Sequence, residues 1–249
     1  MPRGYPDYNS PVNNIGAVSF DSAELAARLG SVSRIHRLGN VILATDFSEN
    51  DGGAITETFS GTIIKRYKQA NYGNNITLRL NRIALPQTEL QPYWNVPLLD
   101  VSKVGVELNI GFDSSCYILT DYITLGFMYN TGTQLVDMTL KLLLIDEKLY
   151  ILNGTGVGLP YIEIDTLDNE IISDLDFMNM YYIKLICNLA DLSYDRLYFN
   201  SHYYDLSRYP CKKVANTDPK KLIFGVLIMS TSTNRYAYMD DLVITVNEP

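Results

Sequence analysis

Between residues 104 and 246 the chain repeatedly places an apolar side chain at every second position. Val104, Val106, Leu108, Ile110 and Phe112 alternate with Gly105, Glu107, Asn109 and Gly111. Ile123, Leu125, Phe127 and Tyr129 repeat the pattern, as do Val136, Met138, Leu140, Leu142 and Leu144. Tyr181, Ile183, Leu185 and Cys187 follow, then Leu197 and Phe199 against Tyr194, Arg196 and Tyr198. A period of two gathers these residues on one face of a strand, and a helix cannot do so. Ile223-Phe-Gly-Val-Leu-Ile-Met is apolar throughout, as expected of a central strand. Turn signals separate the runs: Tyr72-Gly-Asn-Asn, Asn130-Thr-Gly-Thr, Asp146-Glu-Lys, Asn153-Gly-Thr-Gly and Asn200-Ser-His. The count is roughly a dozen strands with short connections. Strands of this kind need a second sheet to cover their apolar faces. The spacing excludes a parallel α/β sheet, whose crossovers are long.

Three regions organise the chain. Residues 1–19, rich in Pro, Asn and Gly, read as an extended arm. Residues 20–30 read as one short helix. Asp21 is its N-cap with Glu24 at capping-box spacing, Phe20 and Leu25 form a staple, and Gly30 closes it. Residues 31–249 read as a single β-sandwich domain.

Composition removes several functions. The net charge is -8 with a pI near 4.8, so no basic balance serves nucleic acid. The polar N-terminus carries no secretory signal. No apolar run approaches the ~18 residues of a membrane span. Two His and three scattered Cys give a zinc site or disulfide framework little to build on. Tyrosine is abundant, with 19 against 8 Phe and 1 Trp, and suits half-buried sheets and contact surfaces.

Three segments together resemble the concanavalin A-like jelly rolls of the laminin-G, lectin and glucanase type. The first is Val104-Gly-Val-Glu-Leu-Asn-Ile-Gly-Phe. The second, Tyr182-Ile-Lys-Leu-Ile-Cys-Asn-Leu-Ala-Asp-Leu-Ser-Tyr-Asp-Arg-Leu-Tyr-Phe-Asn, resembles their strand, turn, strand unit. The third, Tyr236-Ala-Tyr-Met-Asp-Asp-Leu-Val-Ile-Thr, resembles the closing strand. The resemblance spans about residues 100–249. It implies an all-β fold, a two-sheet antiparallel jelly-roll sandwich with six or seven strands per sheet. It also implies a family that mostly binds carbohydrate and in part cleaves it, but fold alone does not transfer function.

Three constellations are candidates for chemistry. Glu163-Ile-Asp-Thr-Leu-Asp-Asn-Glu resembles the glucanase pattern E-I-D-x-x-E, in which the first Glu is nucleophile, the Asp orients and the last Glu is acid/base. Glu163 and Asp165 match it, but the acid/base position is Asp168, one methylene shorter. An acidic solvated loop is the competing reading. For metal, the closing strand's Asp240 or Asp241 could meet Asp46, Glu49 or Asp51 around a structural calcium, which wants about six to eight oxygens. By strict alternation Asp240 shares a face with Leu242, Ile244 and Val246 and points inward; a bulge would exchange the two aspartates. For glycan, Tyr93 with Trp94, and Tyr203 with Tyr204 and Asp205, offer stacking faces and polar edges. A core or rim role competes for Trp94, and adjacent tyrosines on a strand cannot face one ligand.

The expected function is a non-catalytic structural or docking protein of a larger assembly, with no cofactor beyond calcium. The arm, reaching onto neighbouring subunits of a homo-oligomer, and the missing signal suit a virion decoration, tail or adsorption protein made in the cytoplasm. A carbohydrate-binding lectin-like module and a retaining glycoside hydrolase are the alternatives.

Overall fold

Each alternating run forms a strand, and the apolar phase of every run decides which side of its sheet is buried. The computed structural model describes residues 40–45, 65–68, 76–81, 93–96, 101–112, 122–143, 146–154, 161–167, 180–229 and 236–249. The arm and the short helix expected before residue 31 lie outside them. The strands are β1 (Asn40–Thr45), β2 (Lys65–Lys68), β3 (Ile76–Asn81), β4 (Tyr93–Val96) and β5 (Lys103–Phe112). They continue with β6 (Tyr122–Asn130), β7 (Gln134–Leu143), β8 (Lys148–Leu152), β9 (Tyr161–Thr166) and β10 (Met180–Asn188). The last are β11 (Ser193–Phe199), β12 (His202–Asp205), β13 (Lys212–Ala215), β14 (Lys221–Met229) and β15 (Tyr236–Val246).

They form two antiparallel sheets packed as a jelly-roll sandwich. One has eight strands, in the order β12-β11-β10-β5-β15-β3-β2, with β1 also on β15. The other has seven, in the order β4-β14-β6-β7-β8-β9, with β13 on β7. The run beginning at Ile223 is internal to its sheet, between β4 and β6, as its uniform apolarity requires. Among the described residues, three of the expected turns close hairpins, Asn200-Ser-His between β11 and β12 being one, with Asn200 at φ +51°. At Asn130-Thr-Gly-Thr the Thr131 amide donates to Gln134 O, and Gly132 has φ +91°, a conformation glycine adopts without strain. At Asp146-Glu-Lys the turn residue in the left-handed region is Glu147.

One continuous core lies between the sheets. The eight-stranded sheet contributes Val106, Leu108, Ile183, Leu185, Leu197 and Phe199. The seven-stranded sheet contributes Leu125, Phe127, Met138, Leu140, Phe224 and Trp94. Tyr194 ties the two together: its buried hydroxyl donates to Leu152 O at 2.8 Å and lies 3.1 Å from Thr139 O. Burial pushes that phenol well above its ordinary pKa.

The closing strand departs from strict alternation. Asp240 pairs with Asn109 and Val243 with Glu107, so β15 holds one more residue there than β5. The extra residue is accommodated at Asp241, with φ +50°. Ala237 and Met239 face the core before this bulge, and Leu242, Ile244 and Val246 face it afterwards. Asp240 is therefore not the inward acid that alternation predicts. Both aspartates are half-buried, and Asn109 Nδ2 donates to Asp241 Oδ2 at 2.8 Å. The bulge also marks a change of neighbour. Along one edge, Tyr236–Met239 pair with β3 and Leu242–Val246 pair with β1. The two aspartates sit between the two partner strands, where a short polar side chain can answer backbone groups and tolerate the left-handed turn. The Asp241 amide donates to Asp240 Oδ1 at 2.9 Å in just this way.

Candidate functional site

The outer face of the eight-stranded sheet, the side away from the core, carries the richest polar chemistry. Register sets it out in rows. Tyr203, Tyr198, Lys184, Glu107 and Val243 stand opposite one another from β12 through β11, β10 and β5 to β15. A parallel row runs Asp205, Arg196, Ile186, Gly105 and Thr245. A bulge in β11 between its pairings with Ile186 and Cys187 adds Asp195 beside Arg196.

The two ends of the first row differ. At the β12 edge, Tyr203 is 57% exposed and its ring centroid lies 5.2 Å from that of Tyr198, tilted by 58°. Arg196 and Asp205 stand in the neighbouring row. Asp205 accepts from the Ser207 amide at 3.0 Å, which holds its carboxyl below the usual range. This makes an accessible aromatic edge with a fixed charge of each sign beside it.

Inward along the row the face is closed. Lys184 is 1% exposed, with its Nζ 3.1 Å from Glu248 Oε1 and 3.9 Å from Glu107 Oε2. Glu248 reaches this position from the segment after β15. Asn247 takes φ +56°, its amide donates to Lys103 O at 2.8 Å, and the chain folds across β5. Thr245 Oγ1 then donates to Glu248 Oε1 at 2.6 Å, while Pro249 O accepts from Arg196 Nη1 at 3.0 Å and Lys103 Nζ at 3.1 Å. Gly105 leaves the necessary space: a β-carbon there would stand 2.7 Å from Thr245 Oγ1 and 3.1 Å from Glu248 Oε1.

The expected ligand residues separate accordingly. Tyr203 lies on the accessible edge, and Tyr204 turns to the other side, where its hydroxyl donates to Asp165 Oδ2 at 2.7 Å. Trp94 is 2% exposed and stacks on Phe224 at 5.6 Å. Its indole faces are occupied by core, so it offers no platform to a sugar. Tyr93 is half-buried, on the other sheet, with Lys221 Nζ 5.2 Å from its ring centre.

Of the acidic motif, Glu163 and Asp165 are on β9, an edge strand of the seven-stranded sheet. Glu163 is exposed and accepts from Lys148 Nζ at 2.9 Å, a bond that lowers its pKa. Asp165 accepts from Tyr204 and from the Thr166 amide. Both carboxylates are thus tied to neighbours, and Asp168 lies outside the described residues. Of the calcium set, Asp240 and Asp241 occupy the bulge, whereas Asp46, Glu49 and Asp51 are outside the described residues. Among the described residues no group of three or more His, Cys, Asp or Glu is arranged to hold a metal. Among them, too, no helix is long and apolar enough to cross a membrane.

Sequence reasoning missed Lys184, Glu107 and Glu248. The available signal was a charge at the centre of an apolar strand, Ile183-Lys-Leu-Ile, opposite Glu107 in the companion run.

Solved structures place this architecture among known jelly-roll sandwiches. An endo-β-1,4-glucuronan lyase from the fungus Trichoderma reesei superposes with a TM-score of 0.52 at 10% identity, over 84% of this chain and 96% of that one. The binding domain of Paraclostridial Mosquitocidal Protein 1 gives 0.47 at 13% identity, over 84% of this chain and 49% of that one. The alginate lyase Aly36B gives 0.45 at 15%, over 95% of each chain. The chain thus spans about half the length of the toxin binding domain it matches. These likenesses are of fold. No protein-family model matches the chain, and no curated protein matches it in sequence.

Proposed function

We propose that this chain is a non-catalytic binding module on a concanavalin A-like jelly roll, and that it takes a carbohydrate on the Tyr198–Tyr203 edge. The observation that carries the reading is the exposed Tyr203 ring paired with Tyr198 and flanked by Arg196 and Asp205. An aromatic face holds the apolar side of a sugar, and adjacent charges bond its hydroxyls. The glucuronan lyase that shares the fold acts on a polysaccharide, in keeping with such a ligand. The anchored state of Glu163 and Asp165 favours binding over hydrolysis.

The test is a glycan array followed by titration of the best ligand. Tyr203→Ala is expected to weaken binding about tenfold or more, as removal of an aromatic anchor does. Its melting temperature should stay within about 2 °C, because the side chain is at the surface. Array signals indifferent to this substitution would overturn the site. The module's wider role is docking within a larger assembly, such as a virion, through the arm at residues 1–19. Deleting those residues should convert oligomer to monomer in size-exclusion chromatography while the sandwich stays folded. Oligomers that survive the deletion would rule out the docking role of the arm.

A further inference from the structure

The segment Asn247–Pro249 lies across the outer face in an arrangement that resembles a bound ligand more than a closing strand. Lys184 and Arg196 converge on Glu248, and Arg196 and Lys103 on Pro249 O, while Asp195 also pairs with Lys103 and Arg196 at 3.0 Å each. Arg196 Nη2 is 3.8 Å from Glu248 Oε2. Yet the fit is incomplete. Lys184 Nζ, Arg196 Nε and Glu248 Oε2 are all buried and make no hydrogen bond. A buried charge cluster with unmet donors contributes little stability compared with apolar side chains of the same volume. It is a poor clamp and a workable carboxylate receptor, since ammonium and guanidinium donors match a carboxylate. Cross-strand register then sets Tyr198 beside Lys184, with Tyr203 next in the row. Facing neighbours in such a row stand about 5 Å apart.

We infer that Lys103, Lys184 and Arg196 form a carboxylate subsite held by the chain's own Glu248, and that the external ligand displacing it is an acidic saccharide stacked on Tyr198 and Tyr203. The inference rests on the carbohydrate reading above, and it adds the ligand's charge and a strap that competes with it. Asn247, in its left-handed conformation, is the hinge of the strap. When the strap lifts, the bonds to Pro249 O and the Asn247 amide bond to Lys103 O break together.

The experiment compares trigalacturonate with the neutral maltotriose by isothermal titration, using the full chain. Glu248→Gln keeps the volume of the strap and removes its charge. It is expected to raise trigalacturonate affinity at least tenfold and to leave maltotriose unchanged. Adding Lys184→Met to Glu248→Gln should cancel the gain. In the unaltered protein, saturating trigalacturonate should accelerate hydrogen exchange at the Asn247 amide, a readout independent of whether the variants fold. Equal trigalacturonate affinity with and without Glu248→Gln would overturn the strap, as would an unchanged Asn247 exchange rate. If maltotriose still binds in a Tyr203-dependent way, the aromatic edge survives that failure. Absence of binding to either sugar and to the glycan array would overturn both.

Discussion

Gly126→Ala should lower the stability of this protein by about 3 kcal/mol, at the upper end of what overpacking usually costs. In a chain of this size that corresponds to a melting temperature lower by roughly 6–12 °C. Gly126 lies in β6, directly between Gly225 of β14 and Thr139 of β7. A β-carbon there would meet Met138 O at 2.1 Å, Thr139 Cα at 2.9 Å and Met138 C at 3.0 Å. All three atoms are backbone, so no rotamer change relieves the contact. The β6–β7 ladder would have to part in the middle of the seven-stranded sheet, where its hydrogen bonds are buried on both sides by β14 and β8. A thermal melt of the variant decides the matter. A midpoint within about 2 °C of the parent would show that the strands are not as close as the geometry states.

Gly126 also shows where the sequence was readable. In Ile123-Thr-Leu-Gly-Phe it falls in the outward phase, and the alternation alone assigns the inward side to Ile123, Leu125 and Phe127. That pattern suffices for an all-β sandwich because burying one face is the dominant demand on each strand. Pairing order is another matter. Alternation is blind to which strand lies alongside which, so nothing local could place β15 between β5 and β3, with β1 on part of the same edge. The Asp240-Asp241 dipeptide was legible as an exception to the pattern, and its cause was not. The reason is a bulge at a change of partner, which only the assembled sheet defines.

The site divided along the same line. Tyr203 could be picked out locally as an aromatic near a turn. Trp94 could be picked out on equal grounds, although β4 lays it against Phe224 in the core. A loop-like sequence bounded by prolines says nothing about which side of the chain is covered. The cluster of Lys184, Glu107 and Glu248 joins residues from three separate strands or their ends. Its members are ordinary surface charges until topology places them together.

Lys184→Met should cost about 3–5 kcal/mol, the usual penalty for removing one partner from a buried charged group. The expected fall in melting temperature is roughly 6–20 °C. The methylene stem is not the issue, since methionine replaces most of its volume. The loss comes from Glu248, whose side chain is fully buried and would keep only the 3.8 Å approach of Arg196 as its cationic neighbour. Glu107, at 7% side-chain exposure, also loses the Lys184 ammonium that stands 3.9 Å from its carboxylate. Neutralising the anion should therefore recover part of the stability. In the double variant Lys184→Met with Glu248→Gln, the coupling energy is expected to be about 1–3 kcal/mol in the direction of rescue. Denaturant melts of the parent, both single variants and the double variant complete the cycle. Strictly additive losses would mean that Lys184 and Glu248 do not share one electrostatic environment, and would contradict the ion pair at the centre of the outer face.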